Sequence, residues 1–239
     1  MKDSFYSKKK EGQRLVQSEN YPKSISVFLH DSKKLYKQIL QFKSYSHMIE
    51  AGCMNIGFAL DCAIDKNISY YGVDPVSDLI QDFTNRLTLL NKSKKIHIKL
   101  LCGDIVQIKS LIKEDLKQIS KGIVIFPFNS FGNLSSPEDA LFEISKCGLD
   151  VAIFTYNTDL SSTQIRYKYY KNCSFNNLIQ TQDVKGILFS SDEGLHSYSY
   201  NKKFLTELLE QNGFDVQVRH FAQLGILYIG HVDKRVHNE

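Results

Sequence analysis

Apolar residues follow strand and helix spacings in alternation from residue 46 to residue 155. Five short apolar runs predict strands, at residues 46–50, 69–73, 96–102, 122–126 and 150–155. Helices are predicted between them, at residues 57–65, 76–90, 106–120 and from Pro137 onward. The run 122–126 is apolar throughout, which predicts a central strand covered on both faces. Strands that alternate with helices are typical of a parallel sheet with helices on both faces.

The start of the chain has a different pattern. Residues 1–20 are polar and lysine-rich, which predicts a frayed arm with a helical segment near residues 13–18. Residues 24–42 carry apolar positions at helical spacing, which predicts one helix, or two helices broken near Asp31-Ser32. We expect residues 1–43 to form an arm and a helical lid, which packs on the edge of the main domain or covers a cleft.

The end of the chain closes the predicted sheet. An insert at about residues 157–200 is polar and rich in tyrosine and phenylalanine, and we expect it on the substrate side. Residues 201–212 predict an amphipathic helix, and residues 215–221 and 225–232 predict two strands. The link between these strands is so short that only an antiparallel pair is possible. Residues 44–239 are therefore expected to form the main domain.

Length, charge and cysteine content narrow the class of protein. A chain of 239 residues suffices for one large α/β domain. No apolar run approaches the roughly 18 residues that cross a bilayer, and the lysine-rich start is not a secretory signal, so we expect a cytoplasmic location and no membrane partner. Five cysteines without a Cys-x-x-Cys pair argue against a metal site. The net charge of +4 permits nucleic-acid binding without requiring it.

The turn after the first strand carries the strongest chemical signal. Residues 50–57 lead from a buried strand into a helix through Gly52 and Gly57, and Asp74 stands at the end of the second strand. Glycines let a backbone approach a ligand closely. An acid about 20 residues after such a turn can hold the hydroxyls of a ribose. The pattern predicts a nucleoside-binding α/β site.

The residues of this turn discriminate between nucleotide ligands. A loop that cradles phosphates needs Gly-Lys-Ser or Gly-Lys-Thr at its end, but Gly57 is followed by Phe58 and Ala59, which disfavours ATP or GTP hydrolysis. A dinucleotide site needs a middle glycine near the pyrophosphate, and Met54 stands there, which disfavours NAD and FAD. S-adenosylmethionine has no phosphate. Its site needs a close turn, an acid for the ribose and a flat slot for adenine.

Residues 44–232 resemble the class I S-adenosylmethionine-dependent methyltransferases. The pieces that carry the resemblance stand in the family's order: Glu50-Ala51-Gly52-Cys53, Gly72-Val73-Asp74, Cys102-Gly103-Asp104-Ile105 and Phe126-Pro127-Phe128-Asn129-Ser130-Phe131-Gly132-Asn133-Leu134. The resemblance implies a Rossmann-like, seven-stranded, mostly parallel sheet with helices on both faces and an antiparallel C-terminal hairpin. It also implies S-adenosylmethionine as cofactor and S-adenosylhomocysteine as product. The family's second and third glycines are replaced by Met54 and Ile56.

The resemblance implies roles for the turn and for the second strand. Gly52 and Cys53 would let backbone groups approach the methionine part of the cofactor, and Gly57 would substitute for a missing glycine in a shifted register. Glu50 would orient the turn or hold the ammonium group. Asp74 would accept hydrogen bonds from both ribose hydroxyls.

The resemblance also implies an adenine slot at the ends of the second and third strands. Pro75 and Val76 would flank the adenine, while Asp104 would meet its exocyclic amine and Ile105 would lie against the ring. Ligands of open α/β sheets bind at the carboxyl ends of the strands, where all four residues fall.

The acceptor side is the least determined part of the sequence. The resemblance places Phe128 and Asn129 beside the sulfonium. The insert supplies the candidate catalytic residues: His196 as a base, and Tyr167 and Tyr170 as the walls of a cage for a cation. Partial burial of the tyrosines, and a histidine bonded to a backbone carbonyl, would explain the same residues structurally.

The expected function is methyl transfer to nitrogen or oxygen of a small molecule by in-line displacement. The fourth strand is followed by Phe128-Asn129-Ser130-Phe131, which lacks the prolines of DNA amino-methyltransferases. Three alternatives stay open: an RNA or protein methyltransferase that uses the basic residues 8–14, a non-catalytic binding module with the same fold, and a nicotinamide-dependent oxidoreductase. The oligomeric state is not predicted.

Overall fold

The main sheet has seven strands. The structure, a computed structural model, describes residues 3–7, 10–90, 96–119 and 121–232. Its strands are β1 (His47–Ala51), β2 (Ser69–Asp74), β3 (Ile98–Cys102), β4 (Gly122–Phe126), β5 (Asp150–Tyr156), β9 (Phe214–Phe221) and β10 (Gly225–Val232). The strand order in the sheet is β3-β2-β1-β4-β5-β10-β9, and β10 runs antiparallel to both of its neighbours. The expected mostly parallel sheet with an antiparallel C-terminal hairpin is thereby confirmed.

The fully apolar strand lies where its sequence predicts. All five residues of β4 are buried, and β4 pairs in parallel with β1 on one side and β5 on the other. One hydrophobic cluster covers each face of the sheet, with Ile125 in the first cluster and Val124 in the second. Successive side chains of β4 point to opposite faces of the sheet, so this strand contributes to the hydrophobic cluster on each face.

Eight helices surround the sheets in the described part of the chain. None of these helices is long and apolar enough to cross a membrane. They are α1 (Asp3–Tyr6), α2 (Lys23–Phe42), α3 (Leu60–Asp65), α4 (Ser77–Leu90), α5 (Ile108–Leu111), α6 (Pro137–Lys146), α7 (Leu160–Asn172) and α8 (Lys202–Gln211).

Two helix predictions need correction. Helix α2 is continuous, so the break near Asp31-Ser32 is wrong; the buried Ser32 hydroxyl donates to the Phe28 carbonyl at 2.8 Å and needs no break to satisfy it. The helix predicted at 106–120 is reduced to α5. Asp115 beyond it pairs with Lys99 of β3 at 2.9 Å, and the segment continues in three-residue turns against the sheet.

The described residues of the N-terminal arm are packed, and the expected frayed arm is wrong for them. Phe5 is 4% exposed and its ring lies 5.7 Å from that of Phe175. The Arg14 guanidinium donates to the Ser174 carbonyl at 3.2 Å. The helical segment expected near residues 13–18 is a 3-10 turn at Glu11–Val16.

The insert contains one helix and a second sheet. Strands β6 (Ile179–Gln182), β7 (Gly186–Ser190) and β8 (His196–Tyr200) form an antiparallel sheet in that order. The sequence pattern did not predict α7, because the positions it buries are mostly of polar types. These buried positions nevertheless follow helical spacing: Ser162, Thr163, Arg166, Tyr169 and Tyr170.

Candidate active site

A cavity of about 520 Å³ opens at the carboxyl edge of the main sheet. The ends of four neighbouring strands line it, with Gly52 after β1, Asp74 at the end of β2, Asp104 after β3 and Phe128 after β4. Parallel strands bring their carboxyl ends to one edge, which explains why residues far apart in sequence meet here. The volume falls within the roughly 300–1,000 Å³ of small-molecule sites.

Glu50 holds the turn after β1 from behind. Its buried carboxylate accepts hydrogen bonds from the Phe58 amide at 2.7 Å, the Ala59 amide at 2.9 Å and the Tyr70 hydroxyl at 2.9 Å. Burial raises the pKa of the Glu50 carboxyl to about 7, against the lowering effect of these hydrogen bonds. Glu50 is not a lining residue of the cavity. Of its two predicted roles, this position fits orientation of the turn.

Gly52 sits where the chain leaves β1 and touches the loop after β4. Its φ is +78°, and a Cβ added to it would lie 2.9 Å from the Ser130 Cβ. The Ser130 hydroxyl donates to the Ala51 carbonyl at 2.8 Å, which fixes this contact. Only glycine combines this backbone conformation with so close an approach.

Cys53 and Gly57 lie behind the cavity wall. Neither is a lining residue in the described structure. The Cys53 side chain is fully buried, with its sulfur 2.9 Å from an ideal Cβ on Gly72. A Cβ on Gly57 would lie 2.5 Å from the Phe83 ring, and Gly57 has a φ of +64°. Both residues let the turn pack closely on its surroundings.

Asp74 is a buried carboxylate that lines the cavity at the end of β2. Its Oδ2 accepts from the Met54 amide at 2.9 Å, and its Oδ1 accepts from the Val76 amide at 3.0 Å. Each carboxylate oxygen can accept more than one hydrogen bond. Met54, which replaces the family's second glycine, has a φ of +50° and lines the cavity itself.

The four residues predicted to surround an adenine all line the cavity. Val76 and Ile105 are both 4% exposed, and they line the cavity together with Pro75 and Asp104. The Asp104 carboxylate accepts from the Val106 amide at 3.1 Å and caps the 3-10 turn that begins at Ile105. The structure thus brings these four predicted residues together.

Asn129 lines the cavity, but its side-chain amide forms hydrogen bonds with other residues of the protein. Its Nδ2 donates to the Ser197 hydroxyl at 3.0 Å and to the Tyr198 carbonyl at 3.1 Å, and its Oδ1 accepts from the Thr155 hydroxyl. The residue has a φ of +61° at the turn after β4. These bonds make Asn129 a shaping residue that ties β4, β5 and β8 together.

Phe128 stands at the centre of an aromatic wall. Its ring centroid lies 5.7–6.5 Å from those of five other rings: Tyr21, Phe28, Phe58, Tyr156 and Tyr169. Phe128, Tyr156 and Tyr169 all line the cavity, so this part of the wall is aromatic.

Of the three predicted catalytic residues, the structure brings only Tyr170 to the cavity. Tyr170 is buried, and its hydroxyl lies 2.7 Å from the Ser197 hydroxyl, which also lines the cavity. Tyr167 is 42% exposed, with its ring 6.4 Å from that of Phe189. His196 begins β8 and is not a lining residue.

The N-terminal arm supplies lining residues that the sequence analysis missed. Tyr6, Leu15 and Val16 complete the cavity wall. The Tyr6 hydroxyl oxygen is buried and has no hydrogen-bond partner among the described residues, and burial raises its pKa well above the usual value. The arm is fixed from α7, since the Tyr169 hydroxyl donates to the Leu15 carbonyl. No periodicity in residues 1–20 marks these positions.

The described wall of the cavity is poor in titratable groups. Its carboxylates are Asp74 and Asp104, and its other ionisable side chains are tyrosines. No cluster of three or more histidine, cysteine, aspartate or glutamate residues in the described ranges could hold a metal ion.

Comparison with solved structures identifies the architecture. A magnesium protoporphyrin IX methyltransferase from Synechocystis, solved with bound S-adenosylhomocysteine, is 10% identical; the match covers 93% of each chain with a TM-score of 0.60. The CcbJ methyltransferase from Streptomyces caelestis is also 10% identical, with a TM-score of 0.60 over 91% of this chain and 99% of that one.

A third structure agrees with these two. An S-adenosylmethionine-dependent methyltransferase from Clostridium acetobutylicum is 11% identical, with a TM-score of 0.55 over 84% of this chain and 92% of that one. No protein-family model and no curated protein matches the sequence. The likeness therefore rests on three-dimensional structure. This chain has the Rossmann-like fold of the class I S-adenosylmethionine-dependent methyltransferases.

Proposed function

We propose that this protein is an S-adenosylmethionine-dependent methyltransferase that methylates nitrogen or oxygen of a small molecule. The observation that carries the proposal is the position of Asp74. It is a buried carboxylate at the end of β2 that lines a cavity of about 520 Å³ next to the close turn at Gly52. A ribose needs such an acceptor, and a phosphate would be repelled by it.

The residues that line the cavity fit S-adenosylmethionine, the methyl donor, along the length of the cavity. Asp74 accepts hydrogen bonds from the ribose hydroxyls, and the slot of Pro75, Val76 and Ile105 holds the adenine beside Asp104. The turn at Gly52 lies at the methionine end. Asp74 is already oriented by the amides of Met54 and Val76, so it loses little freedom when a ligand binds.

S-adenosylmethionine supplies an activated methyl group, and the protein has to align the acceptor and exclude water. The aromatic wall around Phe128 and the arm residues Tyr6, Leu15 and Val16 serve that purpose. Correct alignment of reacting groups contributes about 7–11 kcal/mol in well-oriented reactions. A wall of rings and aliphatic side chains also gives the acceptor an apolar place to bind.

The size and lining of the cavity favour a small acceptor over RNA or a protein chain. The arm, the loop after β4 and α7 all contribute to one wall, with Leu15, Phe128 and Tyr169 as their lining residues. A small molecule fits within such a wall, whereas a polymer needs an open groove.

Isothermal titration calorimetry tests the proposal with the intact chain. We expect S-adenosylhomocysteine to bind with one-to-one stoichiometry and NADH to give no heat of binding. An NADH complex without an S-adenosylhomocysteine complex would overturn the proposal in favour of an oxidoreductase. Absence of binding by either compound would leave a fold without the proposed activity.

A further inference from the structure

Arg166 of α7 is a fully buried cation behind the cavity wall. Its guanidinium donates to the Ser197 carbonyl at 2.9 Å and, at a longer 3.4 Å, to the Ile187 carbonyl. Its Nε has no hydrogen-bond partner among the described residues. A guanidinium carries five N–H donors and a positive charge, so these two carbonyl contacts leave part of its hydrogen-bonding capacity unused.

No carboxylate in the described part of the chain forms a salt bridge with Arg166. Aromatic rings surround the guanidinium instead, with its central carbon 4.8 Å from the Phe189 centroid, 5.2 Å from Tyr156 and 5.8 Å from Tyr170. Such contacts stabilise a cation without neutralising it. A buried charge without a partner is costly, so an anion in its neighbourhood gains correspondingly.

One layer of side chains separates this charge from the cavity. Tyr156 and Tyr170 contact Arg166 on one side and line the cavity on the other, and Ser197 does the same through its carbonyl and its hydroxyl. The field of the guanidinium is little screened by water in this buried position. Arg166 therefore makes this end of the cavity electropositive.

The hydroxyls of Tyr170 and Ser197 provide a hydrogen-bond donor at the same end of the cavity as Arg166. They lie 2.7 Å apart, and the Asn129 amide donates to the Ser197 oxygen at 3.0 Å. One hydroxyl proton closes the bond between the pair, which leaves the other proton for an acceptor in the cavity. A buried cation behind a donor is the arrangement that suits an anionic oxygen.

The scarcity of bases in the wall points the same way. The described lining residues include no histidine or lysine, and the two lining carboxylates, Asp74 and Asp104, accept hydrogen bonds from backbone amides. An alcohol or a protonated amine would have to lose a proton to a general base in order to be methylated. A carboxylate is already deprotonated at neutral pH and needs no base.

Given the methyltransferase activity proposed above, we propose that the acceptor is an apolar or aromatic carboxylic acid, whose carboxylate binds the Tyr170–Ser197 hydroxyl pair in the field of Arg166. The carboxylate oxygen forms a bond to the methyl carbon as the sulfur–carbon bond breaks. The electron pair of that bond stays on sulfur, so the products are a methyl ester and S-adenosylhomocysteine, and no proton is transferred.

Binding of benzoate and of its neutral analogue benzamide tests this assignment. The affinity of each is measured by calorimetry on the intact protein saturated with S-adenosylhomocysteine. We expect benzoate to bind about tenfold more tightly than benzamide, which corresponds to about 1.4 kcal/mol. Equal affinities, including no measurable binding of either compound, would overturn the assignment without the use of any variant.

Three variants then locate the anion site. Arg166→Met removes the charge and should erase the preference for benzoate, whereas Arg166→Lys keeps the charge and should retain most of it. Tyr170→Phe keeps the ring packed and should weaken benzoate binding by about threefold to tenfold, with benzamide little affected. A preference that survives in both Arg166→Met and Tyr170→Phe would contradict the assignment.

The same titrations separate this assignment from the proposed function. If S-adenosylhomocysteine binds and benzoate shows no preference, the carboxylate acceptor is wrong while the methyltransferase function stands. If S-adenosylhomocysteine does not bind, the methyltransferase function fails and the carboxylate acceptor fails with it.

Discussion

The Met54 amide donates a hydrogen bond of 2.9 Å to the Asp74 carboxylate, which stands 20 residues further along the chain. This bond joins the turn after β1 to the end of β2 and fixes both sides of the candidate nucleoside site at once. The residue that breaks the family's glycine pattern thus contributes a backbone donor that orients the acid. A side chain at this position does not prevent the turn from forming, although its φ of +50° lies in the left-handed region.

Asp74→Ala should weaken S-adenosylhomocysteine binding by about tenfold or more, because a hydrogen bond to a charged acceptor contributes about 1.5–3 kcal/mol. Thermal stability should also fall, since the amides of Met54 and Val76 lose their acceptor. Calorimetry and thermal unfolding measure the two effects. Asp61→Ala, at an exposed acid of α3, is the matched control and should change neither. Unchanged affinity in Asp74→Ala would remove this assignment.

Gly52→Ala should destabilise the protein more than Gly148→Ala does. Both glycines have a left-handed φ, which costs an alanine roughly 1–2 kcal/mol. Only at Gly52 does the added Cβ also meet another atom, the Ser130 Cβ at 2.9 Å, whereas nothing lies within 4 Å at Gly148. Denaturant unfolding gives the difference, and Gly52→Ala alone should impair S-adenosylhomocysteine binding. Equal losses of stability would show that the close approach to Ser130 is unimportant.

The raised pKa of Glu50 predicts a pH dependence of stability. The folded protein holds this proton up to about pH 7, whereas the unfolded chain releases it near pH 4.5. The free energy of unfolding should therefore decrease as pH rises from about 4.5 to about 7, by roughly 3 kcal/mol from this group. Glu50→Gln cannot titrate, so the difference between the two unfolding curves isolates the effect. Parallel curves across this pH range would contradict the prediction.

Gly12→Ala should loosen the arm without touching the cavity directly. An added Cβ would lie 2.5 Å from the Phe5 carbonyl oxygen and 2.9 Å from the Tyr6 ring, so α1 must shift. We expect faster dissociation of S-adenosylhomocysteine. Stopped-flow fluorescence of a competing labelled ligand measures the dissociation rate. Tyr6→Phe keeps the packing of the arm, so it serves as the control in which α1 is not displaced. Dissociation rates in Gly12→Ala that equal those of the unchanged protein would show that the arm does not retain the ligand.

The sequence contained enough information for the sheet and for the part of the cavity wall at the ends of β1, β2 and β3. Strand 122–126 and the acid at Asp74 could be predicted because apolar spacing marks parallel strands, and their carboxyl ends must meet at one edge. The order of short motifs located Gly52 and Ile105 on the same wall. These features depend on local patterns, which one sequence displays.

The acceptor side could not be predicted in the same way. Helix α7 buries Arg166, Tyr169 and Tyr170, and such residues give no apolar signal along the chain. Which tyrosine faces the cavity depends on how the helix packs, so Tyr167 and Tyr170 could not be told apart. The hydrogen bond from Arg166 to the Ser197 carbonyl joins residues 31 positions apart, and no local spacing in the sequence predicts it.

A crystal structure grown with saturating S-adenosylhomocysteine tests the central claim most directly. We expect its ribose hydroxyls to lie within hydrogen-bond distance of the Asp74 carboxylate and its adenine to lie between Val76 and Ile105. An empty cavity under these conditions, or a ligand bound at any other place on the protein, would contradict the account.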